Sequence, residues 1–186
     1  MLANVGRKQG GELSWLDNEF VPVHRGLWRT MVGVGRGKGK EVWSISDKGF
    51  EDAKLVIEAL KNKGVSTIGA AGFCWGGKIV AELARCDYIK AAVMLHPAFV
   101  TVDDIKEVKC HIAILGAEID KSSPPELLKQ FEEILSLKSE VDSYVKIFPG
   151  VVHGWTTRYD TGDETAVKKA EEAHQDMLEW FAKHLS

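Results

Sequence analysis

Three residues of this 186-residue chain have side chains that suit nucleophilic catalysis. Cys74 lies in the hexapeptide Gly72-Phe73-Cys74-Trp75-Gly76-Gly77, and Asp120 and His153 each follow a separate apolar run. An imidazole can take the proton of a thiol, while a carboxylate fixes the tautomer of the imidazole and stabilises the imidazolium. These residue types, in this order along the chain, therefore suit a reaction that begins with attack by a cysteine thiolate.

The segments on either side of Cys74 predict the strand and the helix that would position it. Residues 65–71 form a short apolar run with β-branched members, which is typical of a buried strand, and residues 78–84 favour a helix. A strand, a turn of small residues and a helix make up the nucleophile elbow of the G-x-S-x-G kind, here with sulfur in place of oxygen. At a helix N-terminus the dipole and the free N–H groups favour the thiolate. A buried structural cysteine in a glycine-rich turn is the alternative.

From Lys48 onward, helical and strand patterns alternate, which predicts a mostly parallel sheet with helices on both faces. The strand candidates are residues 65–73, 91–95, 112–116 and 141–148, and the helix candidates are residues 50–60, 78–85, 125–137 and 166–185. In such sheets the functional side chains gather at the carboxyl ends of the strands. Cys74, Asp120 and His153 each follow a different strand, in the nucleophile–acid–histidine order of the α/β-hydrolase arrangement. An Asx-type turn at Asp120 and an ordinary loop position for His153 are the alternatives.

The chain from about Lys48 to Leu185 resembles the dienelactone hydrolase family, whose members are cysteine-dependent and have the α/β-hydrolase fold. The resemblance implies that Cys74 is the nucleophile, His153 the base and Asp120 the acid that orients it. It also implies hydrolysis of a small, often carboxylated ester or lactone through an acyl-thiolate intermediate. The motifs that carry it are residues 72–77, Gly116-Ala117-Glu118-Ile119-Asp120 with Pro124 four residues later, and Val152-His153-Gly154-Trp155.

Two neighbouring positions bear on how a triad would work. Glu118 competes with Asp120 for the role of the acid, although the prolines at 124–125, which suit the first turn of a helix, favour Asp120. Trp75, as the residue after the nucleophile, would donate one backbone N–H to an oxyanion hole. We expect its indole to pack rather than to take part in the chemistry.

Four further side chains are candidates for contact with a substrate. Arg158 would pair with a carboxylate, because a guanidinium binds that group through two hydrogen bonds. Trp155 and Phe99 are candidate pocket walls, and His96 lies at another predicted strand end. A solvated loop arginine, core packing for the aromatic residues and a structural role for His96 are the alternatives. We do not assign His96 to the triad.

Residues 1–47 depart from the family pattern. They show no sustained period of 2 or 3.6, and their glycine- and lysine-rich run from Gly33 to Lys40 lacks the spacing of a phosphate-binding P-loop. A complete α/β-hydrolase has several strands before the elbow strand, and the resemblance implies that one early loop donates a second oxyanion N–H. We therefore expect an irregular segment at 1–47 and a dienelactone-hydrolase-like domain at 48–186. The fold would be partial, with early strands missing.

This departure leaves two functional hypotheses open. The first is a hydrolase of small esters or lactones with a complete triad. The second is a non-catalytic α/β-hydrolase-like protein that binds a ligand or interacts with a partner, because its oxyanion hole is incomplete. Without its missing neighbours the elbow strand would expose a hydrogen-bonding edge, which permits self-association.

Composition excludes several other classes of partner. The net charge of −3 gives no reason to expect a nucleic-acid ligand, and no apolar run approaches the roughly 20 residues that span a bilayer. The N-terminus lacks the apolar core of a secretory signal. The three cysteines form no C-x-x-C pair, so neither a disulfide framework nor a zinc site is indicated. We expect a cytoplasmic protein with a small-molecule substrate and no metal or cofactor.

Overall fold

The computed structural model describes residues 2–8 and 40–185, with side chains from residue 47 onward. Helices and strands alternate along the described chain after the first strand. In chain order the elements are β1 (Leu2–Lys8), α1 (Lys40–Asn62), β2 (Val65–Phe73), α2 (Gly76–Ala84), β3 (Ala91–Leu95), α3 (Val102–Lys106), β4 (His111–Ile119), α4 (Pro125–Ser136), β5 (Ser143–Val152) and α5 (Glu164–Leu185).

The strands form one sheet in the order β1-β2-β3-β4-β5. Strands β2 to β5 are parallel to one another, as the buried apolar runs predict, whereas β1 runs antiparallel to β2. Phe73 lies opposite Leu95, and Leu95 lies opposite Leu115, so these strands end close to the same level. The register therefore brings the loops after β2, β3, β4 and β5 to one edge of the sheet.

Helices cover both faces of the sheet, which confirms the predicted architecture. Consecutive parallel strands lie side by side, so right-handed crossovers place the intervening helices on the same face. One core accordingly contains Ile57 of α1, Ile79 of α2, Ile105 of α3 and Phe131 of α4. Phe181 of α5 packs in a second core on the opposite face. None of the helices in the described ranges combines the length and the apolar character needed to cross a lipid bilayer.

Residues 1–47 were expected to be irregular, but regular structure is present near both ends of this segment. Residues 2–8 form β1, and α1 begins at Lys40, several residues before the pattern indicates. Strand β1 pairs with β2 along the edge that we expected to be exposed, so that expectation was wrong: backbone groups of β2 are satisfied by an antiparallel neighbour. Residues 9–39, which include most of the glycine- and lysine-rich run, lie outside the described residues. The domain division at residue 47 therefore stays a prediction.

Candidate active site

Cys74 occupies the sharp turn between β2 and α2. Its φ of 54° is in the left-handed region, which costs a residue with a Cβ about 1–3 kcal/mol and is common at functional sites. The turn is held by its surroundings, because the Cys74 N–H donates to the Leu95 carbonyl at 3.1 Å and the Gly77 N–H donates to the Cys74 carbonyl at 3.0 Å. A Cβ at Gly72 would collide with the carbonyl group of Gly76, so only glycine fits there. These features are those of a nucleophile elbow.

A line of contacts joins Cys74, His153 and Asp120. The Nε2 atom of His153 lies 3.1 Å from Cys74 Sγ, and its Nδ1 atom lies 2.6 Å from Asp120 Oδ2. The other carboxylate oxygen, Oδ1, accepts hydrogen bonds from the backbone N–H of Ser122 at 2.7 Å and of Ser123 at 3.3 Å. The side chain of Asp120 is only 1% exposed and that of His153 is 21% exposed. The structure thus brings together the three residues that the sequence singles out.

The ends of β4 and β5 explain how His153 reaches Asp120. Ile119 pairs with Val152 across the two parallel strands, and the His153 N–H donates to the Ile119 carbonyl at 3.3 Å. Because Asp120 and His153 are the next residues on each strand, their side chains start from adjacent positions at the carboxyl edge. Sheet register, rather than local sequence, sets this part of the geometry.

Of the two candidate acids, only Asp120 contacts the histidine. The Oε2 atom of Glu118 accepts a hydrogen bond from the backbone N–H of Gly150 at 2.7 Å, and its side chain is exposed. A register irregularity between Ala117 and Ile119 separates the two carboxylates at this strand end. Glu118 therefore ties β4 to the β5 strand, and Asp120 faces His153.

The contact between sulfur and imidazole shifts both pKa values toward an ion pair. Partial burial raises the pKa of the Cys74 thiol, but the hydrogen bond and charge of His153, the backbone N–H of Trp75 and the charge of Arg158 outweigh it, so the pKa is lowered. The pKa of His153 is raised by its hydrogen bond to Cys74, against burial, and by its hydrogen bond to Asp120. A thiolate beside an imidazolium is the reactive form of a cysteine nucleophile.

Trp75 contributes to the site through its backbone. Its backbone N–H is hydrogen-bonded to the Cys74 sulfur and helps to lower the pKa of the thiol. Its indole packs away from this point: a Cβ on Gly49 of α1 would approach the ring to 2.7 Å, and the ring belongs to the core beside Ile79. The second oxyanion donor was expected to be missing from residues 1–47. Residues 9–39 lie outside the described chain, so this stays a prediction.

The candidate substrate contacts differ in their surroundings. Arg158 is exposed, and its Nη2 atom donates to the His153 carbonyl at 3.3 Å, which holds the guanidinium beside the triad. Trp155 is buried, with its ring centroid 5.2 Å from that of Phe148, so its packing is that of a core residue. Phe99 is 51% exposed and has a φ of 63°. Of these three residues, Arg158 and Phe99 are therefore the ones that solvent or a ligand can reach.

His96 lies directly behind the triad. It is buried, its ring centroid is 5.1 Å from that of His153, and its Nε2 atom lies 2.8 Å from Thr156 Oγ1. Burial and the neighbouring charge of His153 lower the pKa of His96 to about 3, so the ring is neutral. Sequence reasoning passed over Thr156 and Ser123, whose buried hydroxyl groups also lie here, because hydroxyl residues in loops carry no distinguishing pattern.

With this geometry in hand, comparison with known proteins identifies the family. The model of the dienelactone hydrolase family matches residues 34–185. The chain belongs to the dienelactone hydrolase family. The match begins earlier than residue 48, where the resemblance was expected to start.

Relatives and solved structures agree with this assignment. A carboxymethylenebutenolidase homolog from Xenopus tropicalis is 32% identical over 73% of this chain and 56% of its own length. An endo-1,3;1,4-beta-D-glucanase from Zea mays is 44% identical over 50% of this chain and 31% of its own length. A protein assigned as a dienelactone hydrolase from Klebsiella pneumoniae has a similar fold, with a TM-score of 0.64, 22% identity, and coverage of 75% of this chain and 62% of that chain.

The length of these relatives limits what the matches imply. The chain spans 56% of the Xenopus relative and 31% of the maize relative. A dienelactone hydrolase-like promiscuous phosphotriesterase from metagenomic libraries shares the fold with a TM-score of 0.62 and 20% identity, over 86% of this chain and 67% of that one. At 20–22% identity, the similarity to these two solved structures shows that this chain shares their fold and no more.

Proposed function

We propose that the chain is a hydrolase of small esters or lactones that uses Cys74, His153 and Asp120 and an acyl-thiolate intermediate. The observation that carries the proposal is the unbroken line from Cys74 Sγ to His153 at 3.1 Å and from His153 to Asp120 at 2.6 Å, with the cysteine on a nucleophile elbow. Ester hydrolysis by this route has two steps, attack by the thiolate and hydrolysis of the resulting thioester. Both steps need only these three residues and an oxyanion donor.

The mechanism follows from the charges of the site. The Cys74 thiolate attacks the ester carbonyl carbon, and the electron pair of the C=O bond moves to the oxygen, which the Trp75 N–H stabilises. Collapse of the tetrahedral intermediate breaks the ester C–O bond, and the His153 imidazolium protonates the leaving alkoxide. His153 then takes a proton from water as the water attacks the thioester. Collapse of this second tetrahedral intermediate breaks the thioester C–S bond, so the carboxylic acid leaves and the Cys74 thiolate again pairs with protonated His153.

Arg158 would add selectivity for substrates that carry a carboxylate. Its guanidinium is exposed and lies beside His153, and its charge already acts on the Cys74 sulfur. A carboxylate placed there would bind through charge-assisted hydrogen bonds. Trp155, which is buried behind His153, would support the wall of the pocket rather than contact the substrate.

The activity named for the maize relative is not one that this site supports. Glycoside hydrolysis normally needs two carboxyl groups that flank the scissile bond. Here Asp120 is engaged by His153 and by backbone N–H groups, and Glu118 is engaged by the N–H of Gly150. Neither carboxylate is available for the paired roles, so we do not propose glucanase activity.

The alternative function is ligand binding without turnover, and it depends on the oxyanion hole, for which the Trp75 N–H is one donor. Loss of one oxyanion donor typically lowers the rate by about 10²–10³-fold. A chain without the second donor would keep the cleft and the reactive sulfur but turn over slowly. Self-association also stays a prediction, and within the described residues β1 and β5 are the outer strands of the sheet.

Two measurements distinguish the functions. Limiting iodoacetamide near neutral pH, at about pH 6.5, labels thiolates selectively. We expect Cys74 to react and Cys110 to remain unmodified, because burial raises the pKa of Cys110 to about 12. A pre-steady-state burst with p-nitrophenyl acetate that disappears in Cys74→Ser and His153→Ala supports the hydrolase. Slow, equal labelling of the cysteines without a burst supports the ligand-binding protein.

A further inference from the structure

Buried polar side chains in the described part of the chain are concentrated at the catalytic edge. The buried polar and charged residues are Lys78, His96, Asp120, Ser123 and Thr156. Lys78 is paired within the helical layer with Glu82 and Asp104, at 3.1 and 2.6 Å. The others surround the triad. Burying a hydroxyl or an imidazole costs free energy unless it is hydrogen-bonded, so their positions call for an explanation.

The explanation is a three-residue segment after β3, residues 96–98, which we call the β3 hub. Each residue of the hub contacts a different loop that carries a triad member. The His96 side chain contacts Thr156 Oγ1 at 2.8 Å, in the loop that follows His153. The Pro97 carbonyl accepts the hydroxyl of Ser123 at 2.8 Å, in the loop that follows Asp120. The Ala98 N–H donates to the carbonyl of Cys74 itself at 3.0 Å.

The hub is itself fixed to the sheet. The His96 N–H donates to the Leu115 carbonyl of β4 at 2.8 Å, and a Cβ on Gly77 would approach the Cβ of Pro97 to 2.8 Å, so the start of α2 packs directly against it. His96 has a φ of 38°, an unfavourable backbone conformation that persists only where surrounding contacts enforce it. A rigid segment in contact with three loops can hold them at fixed separations.

We propose that the β3 hub sets the spacing of the triad, and that the buried hydroxyl groups of Ser123 and Thr156 are positioning residues for the reaction. The expected effect on ester hydrolysis rests on the proposed function, whereas the contacts of the hub do not. Ser123 bridges the hub and Asp120 through two hydrogen bonds. Its hydroxyl donates to the Pro97 carbonyl, and its N–H donates to Asp120 Oδ1 at 3.3 Å. Thr156 joins the hub to the His153 loop through the neutral ring of His96.

Loss of either hydroxyl should loosen one side of the line from Cys74 to Asp120. The groups that face Cys74 are His153, Arg158 and the Trp75 N–H, and those that face His153 are Cys74, Asp120 and His96. A longer separation within either contact weakens the stabilisation of the thiolate. The thiolate fraction near neutral pH then falls, whether or not the chain turns over an ester.

The test follows the rate of Cys74 carboxamidomethylation as a function of pH in Ser123→Ala and Thr156→Val. At pH values below the midpoint of the wild-type profile, removal of one hydrogen bond should slow alkylation by about three- to tenfold. The midpoint of the profile should move to higher pH. We expect Thr156→Ser, which restores the hydroxyl, to return the profile toward wild type. With p-nitrophenyl acetate, kcat should fall more than KM rises, since the substrate-binding groups remain.

Two residues whose hydroxyl groups are not hydrogen-bonded to the hub provide matched controls. Ser136→Ala removes a serine hydroxyl that donates to the Glu133 carbonyl at 2.7 Å at the end of α4, and Thr157→Val removes the hydroxyl of an exposed residue, which donates to the Gly154 carbonyl at 3.4 Å. Both should leave the alkylation profile unchanged. If Thr156→Val does not fold, Thr156→Ala removes the same hydroxyl with less volume in the loop.

The outcomes separate the hub from the activity. Folded Ser123→Ala and Thr156 variants that melt at lower temperature but alkylate with the wild-type profile would overturn the inference, because the hydroxyls would then only stabilise the fold. A shifted profile in a chain that shows no ester burst would support the hub and reject the hydrolase. A wild-type profile together with a normal burst would reject the hub alone.

Discussion

Strand β4 has a histidine–aspartate pair near each end, and the two pairs behave in opposite ways. At its carboxyl end, His153 Nδ1 lies 2.6 Å from Asp120, and the pKa of His153 is raised. At its amino end, His184 Nε2 lies 3.2 Å from Asp142, and the pKa of His184 is lowered. The residue types are alike, but His153 Nδ1 is hydrogen-bonded to Asp120, whereas His184 Nε2 lies at ion-pair distance from Asp142 without a hydrogen bond. The difference therefore comes from the geometry of each contact and from what surrounds each pair.

The surroundings differ in the partners of both groups. Burial lowers the pKa of His184, and so does the charge of His111, whose ring stacks on it at a centroid distance of 4.4 Å. Asp142, the aspartate of this pair, is 41% exposed and also forms an ion pair with Lys183 at 2.5 Å. Asp120 is instead buried, and the second nitrogen of His153 faces a thiol that can lose its proton. Only in the second environment do we expect a histidine–aspartate pair to act as a catalytic base.

The strongest test of this comparison is to remove each histidine. His153→Ala should lower ester hydrolysis by at least about 10³-fold, because the thiolate loses its partner and the leaving group its proton donor. His184→Ala should leave kcat/KM close to wild type, since its ring lies at the opposite end of the sheet. Steady-state kinetics with p-nitrophenyl acetate measures both. Equal losses in the two variants would contradict the assignment of the base.

The two aspartates give the next largest difference. Asp120→Asn should lower kcat by about 10²–10⁴-fold, because an amide favours the wrong tautomer of His153 and no longer balances the imidazolium. Asp142→Asn should change kcat by less than about twofold, as expected of a partly exposed position away from the site. Kinetics at several pH values provides the measurement. Full activity in Asp120→Asn would show that another group orients His153.

The two histidines should also contribute opposite pH dependences to stability. His184 has a lowered pKa, so the unfolded chain binds more protons and stability falls as pH decreases through about 6.5. His153 has a raised pKa, so its contribution is present below that pH and is lost as pH rises through its folded pKa. His184→Gln should reduce the drop in Tm between pH 7 and pH 5 by about 1–3 °C.

Calorimetry of His184→Gln and wild type at the two pH values checks this prediction. Gln is close in size to histidine and does not titrate, so the comparison isolates the proton. A drop in Tm that is identical in the two proteins would assign the acid sensitivity to other groups. The first of these are buried His96 and half-buried His174, whose pKa values are also lowered.

The smallest expected effect concerns Lys183. Lys183→Met removes a cation that competes for Asp142 and repels the charged form of His184, so the pKa of His184 should rise. The rise should be small, because the Lys183 side chain is exposed and its charge is screened by solvent. An NMR titration of the imidazole signals measures it. An unchanged pKa would leave burial and His111 as the only causes of the shift.

The hydrophobic pattern predicted most of the sheet but not its N-terminal edge. The run at residues 65–73 is β2, residue for residue, and the run at 91–95 is β3, because a strand buried on both faces needs an uninterrupted apolar sequence. β1 was missed, since Leu2–Lys8 shows no period that distinguishes a strand. The short helix α3 was also missed, although Thr101 and Asp104 form a capping box that a search for caps would find.

The sequence by itself determined the elbow around Cys74, because a turn flanked by glycines and a following helix are local properties of the chain. It also placed Asp120 and His153 after separate strands, while their catalytic roles stay a prediction that the experiments above test. Tertiary structure decided which carboxylate faces the imidazole, since the Gly150 N–H on β5 binds Glu118. It also decided the direction in which the pKa of His153 and the pKa of His184 shift, because burial and the approach of groups distant in sequence set a pKa, and neither is encoded in the spacing of residues.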